Sequence, residues 1–207
     1  MPHAALSSTP SRLTPSTPWT PLSDDAWAAL LPYVLPRSGP GRPIRDLRAR
    51  MDAIFHLAST TDPWRALPAE YGKAQTVSRY FRRLTHAGLW QRLLHALSGD
   101  SLAPNHPLRA IEYLICRACR RAYRLIGLPL VLLVRRLGLS TALPGPPWML
   151  PDPDLSQTLL RCRNRWFRRP AKRGTLTRWR QGLRAFQAVL RTSLGRRVRL
   201  SLRHGWA

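Results

Sequence analysis

The hydrophobic positions along the chain recur at helical spacing rather than in the alternation typical of strands, which predicts an all-α fold. A first helix is predicted over residues 22–35, with Ser23 as its N-cap and two aspartates in its first turn, where the helix dipole favours anions. A turn-rich linker at residues 36–43 separates it from a second helix. One core-facing stripe of that second helix contains Leu47, Met51, Ile54, Phe55 and Ala58.

The next stretch has the pattern of a helix-turn-helix and reads DPWRALPAEYGKAQTVSRYFRRLTHAGLW. Asp62 and Pro63 predict the start of a short helix, Pro68 and Gly72 break the chain, and a second helix follows. Gly88 is the expected cap at the end of this second helix. Its inward side is predicted to hold Val77, Tyr80, Phe81 and Leu84, and its outward side Ser78, Arg79, Arg82, Arg83 and His86.

A helix held by its apolar side in this way can place its exposed N-terminal half in a major groove. We therefore expect Gln75, Thr76, Ser78 and Arg79 nearest to base edges, and Arg82 and Arg83, with His86 beyond them, nearer to phosphates. Solvated surface helices also carry arginine at this spacing, so the pattern alone leaves both interpretations open.

Beyond residue 100 the pattern predicts a helix over residues 105–126 capped by Asn105, another over 130–137, and two later ones, the first capped by Asp154. The apolar stripe of the helix over 105–126 contains Leu108, Ile111, Leu114, Ile115, Ala118, Ala122 and Leu125. The predicted organisation is a disordered Pro/Ser/Thr-rich tail at 1–21, a helix-turn-helix domain at 22–97, a basic helical bundle at 105–194 and a basic tail at 195–207.

The charge is large and uneven, since 34 basic residues against 10 acidic ones give a net charge of +24. Residues 1–100 contribute +5 and residues 101–207 contribute +19, and no acid follows Leu155. All bases except Lys73 and Lys172 are arginine, whose planar guanidinium suits phosphates and base edges. A genome rich in G and C would also raise the arginine content, but it would not remove acids from one half of the chain. A polyanion is therefore the predicted partner, with nucleic acid as the first candidate.

The basic segment from Arg161 to Arg180 could bind either a nucleic acid or an anionic membrane surface. Of these two partners, contact with nucleic-acid phosphates is favoured. The three cysteines fit a reducing compartment, and Cys116 and Cys119 lie mid-helix without a paired set of further ligands, which favours buried core thiols over a zinc site. No cofactor is expected. We expect a cytoplasmic protein without a signal peptide or a membrane span, because the longest apolar run, Leu125–Val134, is too short to cross a bilayer.

Residues 22–97 resemble the N-terminal domain of bacterial insertion-sequence transposases of the four/five group. The resemblance is carried by successive blocks of residues in the same order and at similar spacing: Leu22, Ser23, Asp24 and Trp27; Gly41, Arg42 and Pro43; Asp52, Ala53 and Ile54; Pro63, Trp64, Arg65, Leu67 and Pro68; Tyr71 and Gly72; Thr76, Val77, Phe81, Arg82 and Arg83; Gly88 and Trp90. It implies a small helical domain that binds the terminal inverted repeats of a mobile element. We expect Arg42 to make a minor-groove or phosphate contact and Arg45 a further DNA contact. A second copy or a full-length transposase would be further partners.

The second half departs from this family, whose complete members continue into a domain with three metal-binding carboxylates. After Asp100 the chain offers Glu112, Asp152 and Asp154, and no strand pattern surrounds the two aspartates, which lie in a proline-rich segment. The prediction is a DNA-binding protein of DNA transposition and recombination that is not itself an enzyme. The alternative is a regulatory or interaction module of a full transposase, or the remnant of a decayed mobile element.

Overall fold

The regular structure of this protein is helical, as the hydrophobic spacing predicts. A computed structural model describes residues 12–35, 46–60, 62–99, 102–167, 176–195, 198–199 and 206. The helices are α1 (Asp24–Val34), α2 (Leu47–Thr60), α3 (Ala74–His86), α4 (Leu89–Ser98), α5 (Pro107–Ala110), α6 (Glu112–Ile126), α7 (Leu128–Arg136), α8 (Pro153–Phe167) and α9 (Leu176–Ser193). Across these ranges the pairing of extended backbone is limited to one isolated bridge between Arg12 and Leu139, so the all-α prediction is confirmed.

The chain divides into two compact units, residues 1–144 together with residue 207, and residues 145–206. In the first unit α6 packs against α2, α3 and α4, and its residues from Glu112 to Cys119 are all buried. The sequence predicts one domain at residues 22–97 and a second at residues 105–194, whereas the second unit of the structure begins at residue 145. The reason is that α6 buries the apolar sides of helices that precede residue 97, and local periodicity does not show which helix covers which.

Residues 12–21 also differ from the disordered tail predicted over residues 1–21. The Arg12 guanidinium donates to Glu112 Oε2 over 2.8 Å, and the Thr14 hydroxyl donates to Glu112 Oε1 over 2.6 Å. The backbone N–H of Thr14 donates to the Thr141 hydroxyl over 2.6 Å. A buried carboxylate requires such partners, so this segment is tied to α6 by long-range polar contacts that composition does not reveal. Residues 1–11 lie outside the described residues.

Several helix ends match the sequence prediction and others shift by a residue or two. Ser23 caps α1 as predicted, because its side chain accepts from the N–H of Ala26. The predicted cap Asn105 is replaced by His106, whose Nδ1 accepts from the N–H of Leu108. The predicted cap Asp154 lies inside α8, and Asp152 Oδ1 accepts from the N–H of Leu155 instead. Each shift exchanges one acceptor for a neighbouring one that reaches the same unpaired donors.

The second unit contains α8 and α9, which pack against each other. The N–H of Asp152 donates to the carbonyl of Ser193 over 2.7 Å, so the start of α8 lies beside the end of α9 and the two helices run antiparallel. Of the predicted basic tail at 195–207, Val198 is buried and Trp206 makes an edge contact with Trp148 at 5.8 Å between ring centroids.

Candidate nucleic-acid interface

Helix α3 is held in the first unit by one strongly apolar side. Val77, Tyr80, Phe81 and Leu84 are all buried, as the helical spacing predicts. The Phe81 ring lies 5.3 Å from the ring of Trp64 and 5.4 Å from the ring of Trp90, measured between centroids. Aromatic packing of this kind fixes both the position and the rotation of the helix about its axis.

The opposite side of α3 gathers seven of the nine predicted DNA-contacting side chains. At 100° per residue they fall on one arc of about 160°. Gln75, Thr76, Arg79, Arg82, Arg83 and His86 are exposed, and Ser78 is half-buried with its hydroxyl donating to the carbonyl of Gln75 over 3.2 Å. The remaining two, Arg42 and Arg45, lie outside the described residues.

Helix α3 itself contains no acidic residue that could neutralise the charge of its outer face. The ion pairs found within the described ranges, Arg12–Glu112 and Arg48–Asp24, leave α3 out. The guanidinium of Arg83 lies 5.0 Å from the centroid of the buried Tyr80 ring, and that of Arg50 lies 5.7 Å from it. Burial raises the pKa of Tyr80, and the two neighbouring arginines act against that rise. The face is therefore cationic, with polar side chains toward its N-terminal end.

The turn that follows α3 is fixed by a glycine and by a buried hydrogen bond. Gly88 has φ of +72°, in the left-handed region that glycine adopts without strain, and the chain passes directly into α4. Trp90 Nε1 donates to the Thr85 hydroxyl over 2.8 Å, and that hydroxyl donates to the carbonyl of Phe81 over 2.9 Å. These bonds attach the end of α3 to the start of α4.

The segment before α3 differs from the short helix that the sequence predicts there. Two single turns of 3₁₀ helix, Trp64–Ala66 and Ala69–Tyr71, occupy it, and no side chain caps the first of them. The preceding long helix α2 ends at Thr60, so its connection to α3 is much longer than the three to four residues of a compact helix-turn-helix.

Helix α6 contributes a support for α3 that sequence reasoning missed. The Arg121 guanidinium lies 5.1 Å from the centroid of the Trp64 ring, and it donates to the carbonyls of Leu57 and Asp62. Trp64 in turn packs against Phe81 on the inner side of α3. The Pro-Trp-Arg turn is thus held between α6 and α3. No local signal could have shown this, because Arg121 is separated from its partners by about 60 residues of sequence.

Two carboxylates and two thiols of the second half have structural roles. Glu112 is buried and accepts from Arg12 and Thr14, and Asp152 caps α8. Cys116 and Cys119 are buried core thiols, as predicted, and burial raises the pKa of Cys116 to about 12 and that of Cys119 well above its usual value. Among the described residues, no group of three His, Cys, Asp or Glu side chains lies close enough to hold a metal ion. No described helix has the length and hydropathy that a bilayer-spanning segment requires.

The comparison with known proteins finds a similarity over about a third of the chain. No curated protein and no solved structure matches it. A family model does match, over a segment that contains α1 to α3 and most of α4. Residues 22–94 match the family described as "Putative transposase of IS4/5 family", which confirms the resemblance that the sequence shows over residues 22–97.

Proposed function

We propose that this protein binds DNA in a transposition system and that the outer face of α3 is the DNA-contacting surface. The observation that carries the proposal is the exposed arc of Gln, Thr, Ser and Arg side chains on a helix whose opposite side is buried among aromatic rings. The match of this segment to a transposase family supports the same partner, because transposition acts on DNA.

The two halves of the arc suit different contacts. Gln75, Thr76, Ser78 and Arg79 lie in the first turn and a half, and glutamine and arginine can each form two hydrogen bonds to one base edge, to adenine and to guanine respectively. Arg82, Arg83 and His86 lie toward the C-terminal end and suit phosphates, which fix the register of the protein on the duplex. In this proposal α3 is the recognition helix, α4 supports it from behind, and Arg42 and Arg45 add further DNA contacts.

We propose further that this chain binds DNA without catalysing strand transfer. Glu112 accepts hydrogen bonds from Arg12 and Thr14, and Asp152 accepts one in the cap of α8, so each of these two carboxylates has a structural role that supports this proposal. A full-length transposase that supplies the chemistry, or a second copy of this chain, is the protein partner that fits this role. In this proposal the protein acts in the bacterial cytoplasm, where its DNA partner is found.

The proposal is tested at Arg79. Duplexes preferred by the full chain are first enriched from a random-sequence pool, and the affinities for a preferred and a scrambled duplex are then compared by fluorescence anisotropy. We expect Arg79→Ala to weaken binding to the preferred duplex by about 1–3 kcal/mol, that is by roughly 5- to 150-fold, and to leave the scrambled duplex much less affected.

Two variants control this experiment. Arg79→Lys retains the charge but loses the planar fork, so it should lose discrimination while it retains most of the affinity for scrambled DNA. Arg124→Ala removes the same charge from an exposed position on α6 and should leave discrimination unchanged. An equal loss for both duplexes in Arg79→Ala would contradict base recognition by α3.

The absence of catalysis is tested separately with the enriched duplex as substrate. We expect no strand nicking in the presence of Mg²⁺ or Mn²⁺. Cleavage that is dependent on the divalent ion and is abolished by Glu112→Gln or Asp152→Asn would overturn this part of the proposal.

A further inference from the structure

Helix α9 in the second unit carries a second cationic stripe. Arg180, Arg184 and Arg191 are exposed and share one arc of the helix with the exposed Thr177 and Gln187. An apolar stripe lies beside this arc on the helix surface, and its side chains are all partly buried: Trp179, Leu183, Phe186 and Leu190. At 1.5 Å of rise per residue the three arginines span about 16 Å along the helix axis.

The end of this helix is fixed within its unit. The Ser193 hydroxyl lies 2.9 Å from the Ser156 hydroxyl of α8, and both side chains are buried. Gly195, directly after α9, has φ of +86°, and a Cβ there would lie 2.7 Å from the Pro151 ring. The stripe is thus presented on a helix that is anchored on its other side by close contacts.

The second unit contains few acidic residues that could neutralise the charge of the stripe. Residues 145–206 contain two acids, Asp152 and Asp154, and the Asp152 carboxylate accepts from the N–H of Leu155 in the cap of α8. Arg180 and Arg184 stand four residues apart, where like charges on a helix repel each other by a few tenths of a kcal/mol. An anion bound along the stripe would relieve this repulsion.

We propose that the α9 stripe is a second DNA-binding surface, which contacts the phosphate backbone of duplex DNA independently of base sequence. Guanidinium groups bind phosphate oxygens through paired hydrogen bonds. Arg180 and Arg184 are about 6 Å apart along the axis, and Arg184 and Arg191 about 10 Å, distances that a duplex strand with one phosphate every 3.4 Å of axis can match at several positions. This inference rests on the proposed function for the choice of DNA as the polyanion, and it adds a surface outside the family-matching segment.

The structure also restricts which arginines of the second half form this surface. Arg117, Arg120 and Arg121 of α6 are directed at backbone carbonyls within the first unit. They are therefore occupied, whereas Arg180, Arg184 and Arg191 of α9 are exposed along one side of their helix.

The test measures how the affinity of the full chain for a random-sequence duplex depends on salt. Each neutralised phosphate contributes about 0.9 to the slope of log affinity against log salt concentration. We expect Arg180→Gln/Arg184→Gln to reduce the slope by about 1.8, and Arg180→Lys/Arg184→Lys to retain it. Arg124→Gln/Arg136→Gln removes the same charge from exposed positions of the first unit and should retain the slope as well.

Three results would overturn this inference. The first is an unchanged salt slope in Arg180→Gln/Arg184→Gln, and the second is an equal fall of the slope in the Arg124→Gln/Arg136→Gln control. The third is a loss of binding by Arg180→Gln/Arg184→Gln that is confined to single-stranded RNA or to vesicles of phosphatidylcholine and phosphatidylserine, with duplex DNA binding unchanged. This test can fail independently of the test of the proposed function. Arg180→Gln/Arg184→Gln should retain the preference for the enriched duplex, and Arg79→Ala should retain the part of the salt slope that α9 contributes. Circular dichroism of each variant confirms that it is folded.

Discussion

Helices α3 and α6 are both amphipathic and rich in arginine, yet they use arginine in opposite ways. On α3, Arg79, Arg82 and Arg83 are exposed. On α6, Arg117 is buried and Arg120 is half-buried, and their guanidinium groups donate to main-chain carbonyls of other elements. The comparison shows that a basic helix is a candidate DNA surface only where no neighbouring element uses its arginines.

The hydrogen-bond partners of the α6 arginines explain how these charged side chains can lie in the interior of the first unit. Arg117 Nε donates to the carbonyl of Ala58 over 3.2 Å and its Nη2 to that of Ser59 over 3.2 Å, and Arg121 Nε donates to that of Leu57 over 3.1 Å. These carbonyls belong to the last turn of α2, where the helix has no internal donors left and its dipole is negative. The α6 arginines therefore cap α2 from the side.

Burial of the α6 arginines disfavours their charged form, whereas the exposed arginines of α3 remain solvated. Burial lowers the pKa of Arg120 to about 10, with the nearby Arg117 adding to the effect, and burial lowers that of Arg121 to about 10 with Arg124 adding to it. Burial of a charge is unfavourable unless hydrogen bonds compensate it, and the carbonyl partners supply that compensation.

The strongest test of this contrast uses the thiols of α6. The thiolate is the reactive form, and burial both raises the pKa of Cys116 and Cys119 and blocks access to them. We expect iodoacetamide to label the exposed Cys162 in the native protein, with the other two reacting orders of magnitude more slowly, and all three to react in urea. Peptide mass spectrometry measures the labelling, and rapid native labelling of Cys116 would show that α6 is open.

The same thiols give the sign of a pH effect. The pKa of Cys116 is raised from 9.0 when unfolded to about 12 when folded, so the unfolded chain releases its proton first as the pH rises. The stabilisation from the buried neutral thiol is complete below pH 9 and is lost progressively as the pH rises toward 12.

A smaller effect is expected from truncating one arginine in each helix. Arg117→Ala leaves the carbonyls of Ala58 and Ser59 without their donors and should reduce the free energy of unfolding by about 2–3 kcal/mol. The matched variant Arg82→Ala removes an exposed guanidinium from α3 and should change it by less than about 0.5 kcal/mol. Urea denaturation followed by circular dichroism measures both, and equal losses would remove the distinction between the two helices.

The sequence predicted the structure best where a helix has one buried side and one exposed side. The seam Val77, Tyr80, Phe81 and Leu84, the Ser23 cap and the Gly88 turn follow from spacing and residue type alone, and the structure confirms each of them. It was least informative for α6, where the spacing predicted a single apolar stripe. There, Glu112 to Cys119 are buried all round, because neighbouring elements enclose the helix.

By itself, the sequence determined the helical class, the two sides of α3 and the excess of positive charge, since these depend on the order of residues within one or two turns. The tertiary structure decided which arginines remain on the surface, that α6 completes the unit containing α3, and that residues 12–21 are bound to it. The physical reason is that a guanidinium is held by whichever acceptor lies closest in space, and an acceptor about 60 residues away leaves no mark on the local pattern.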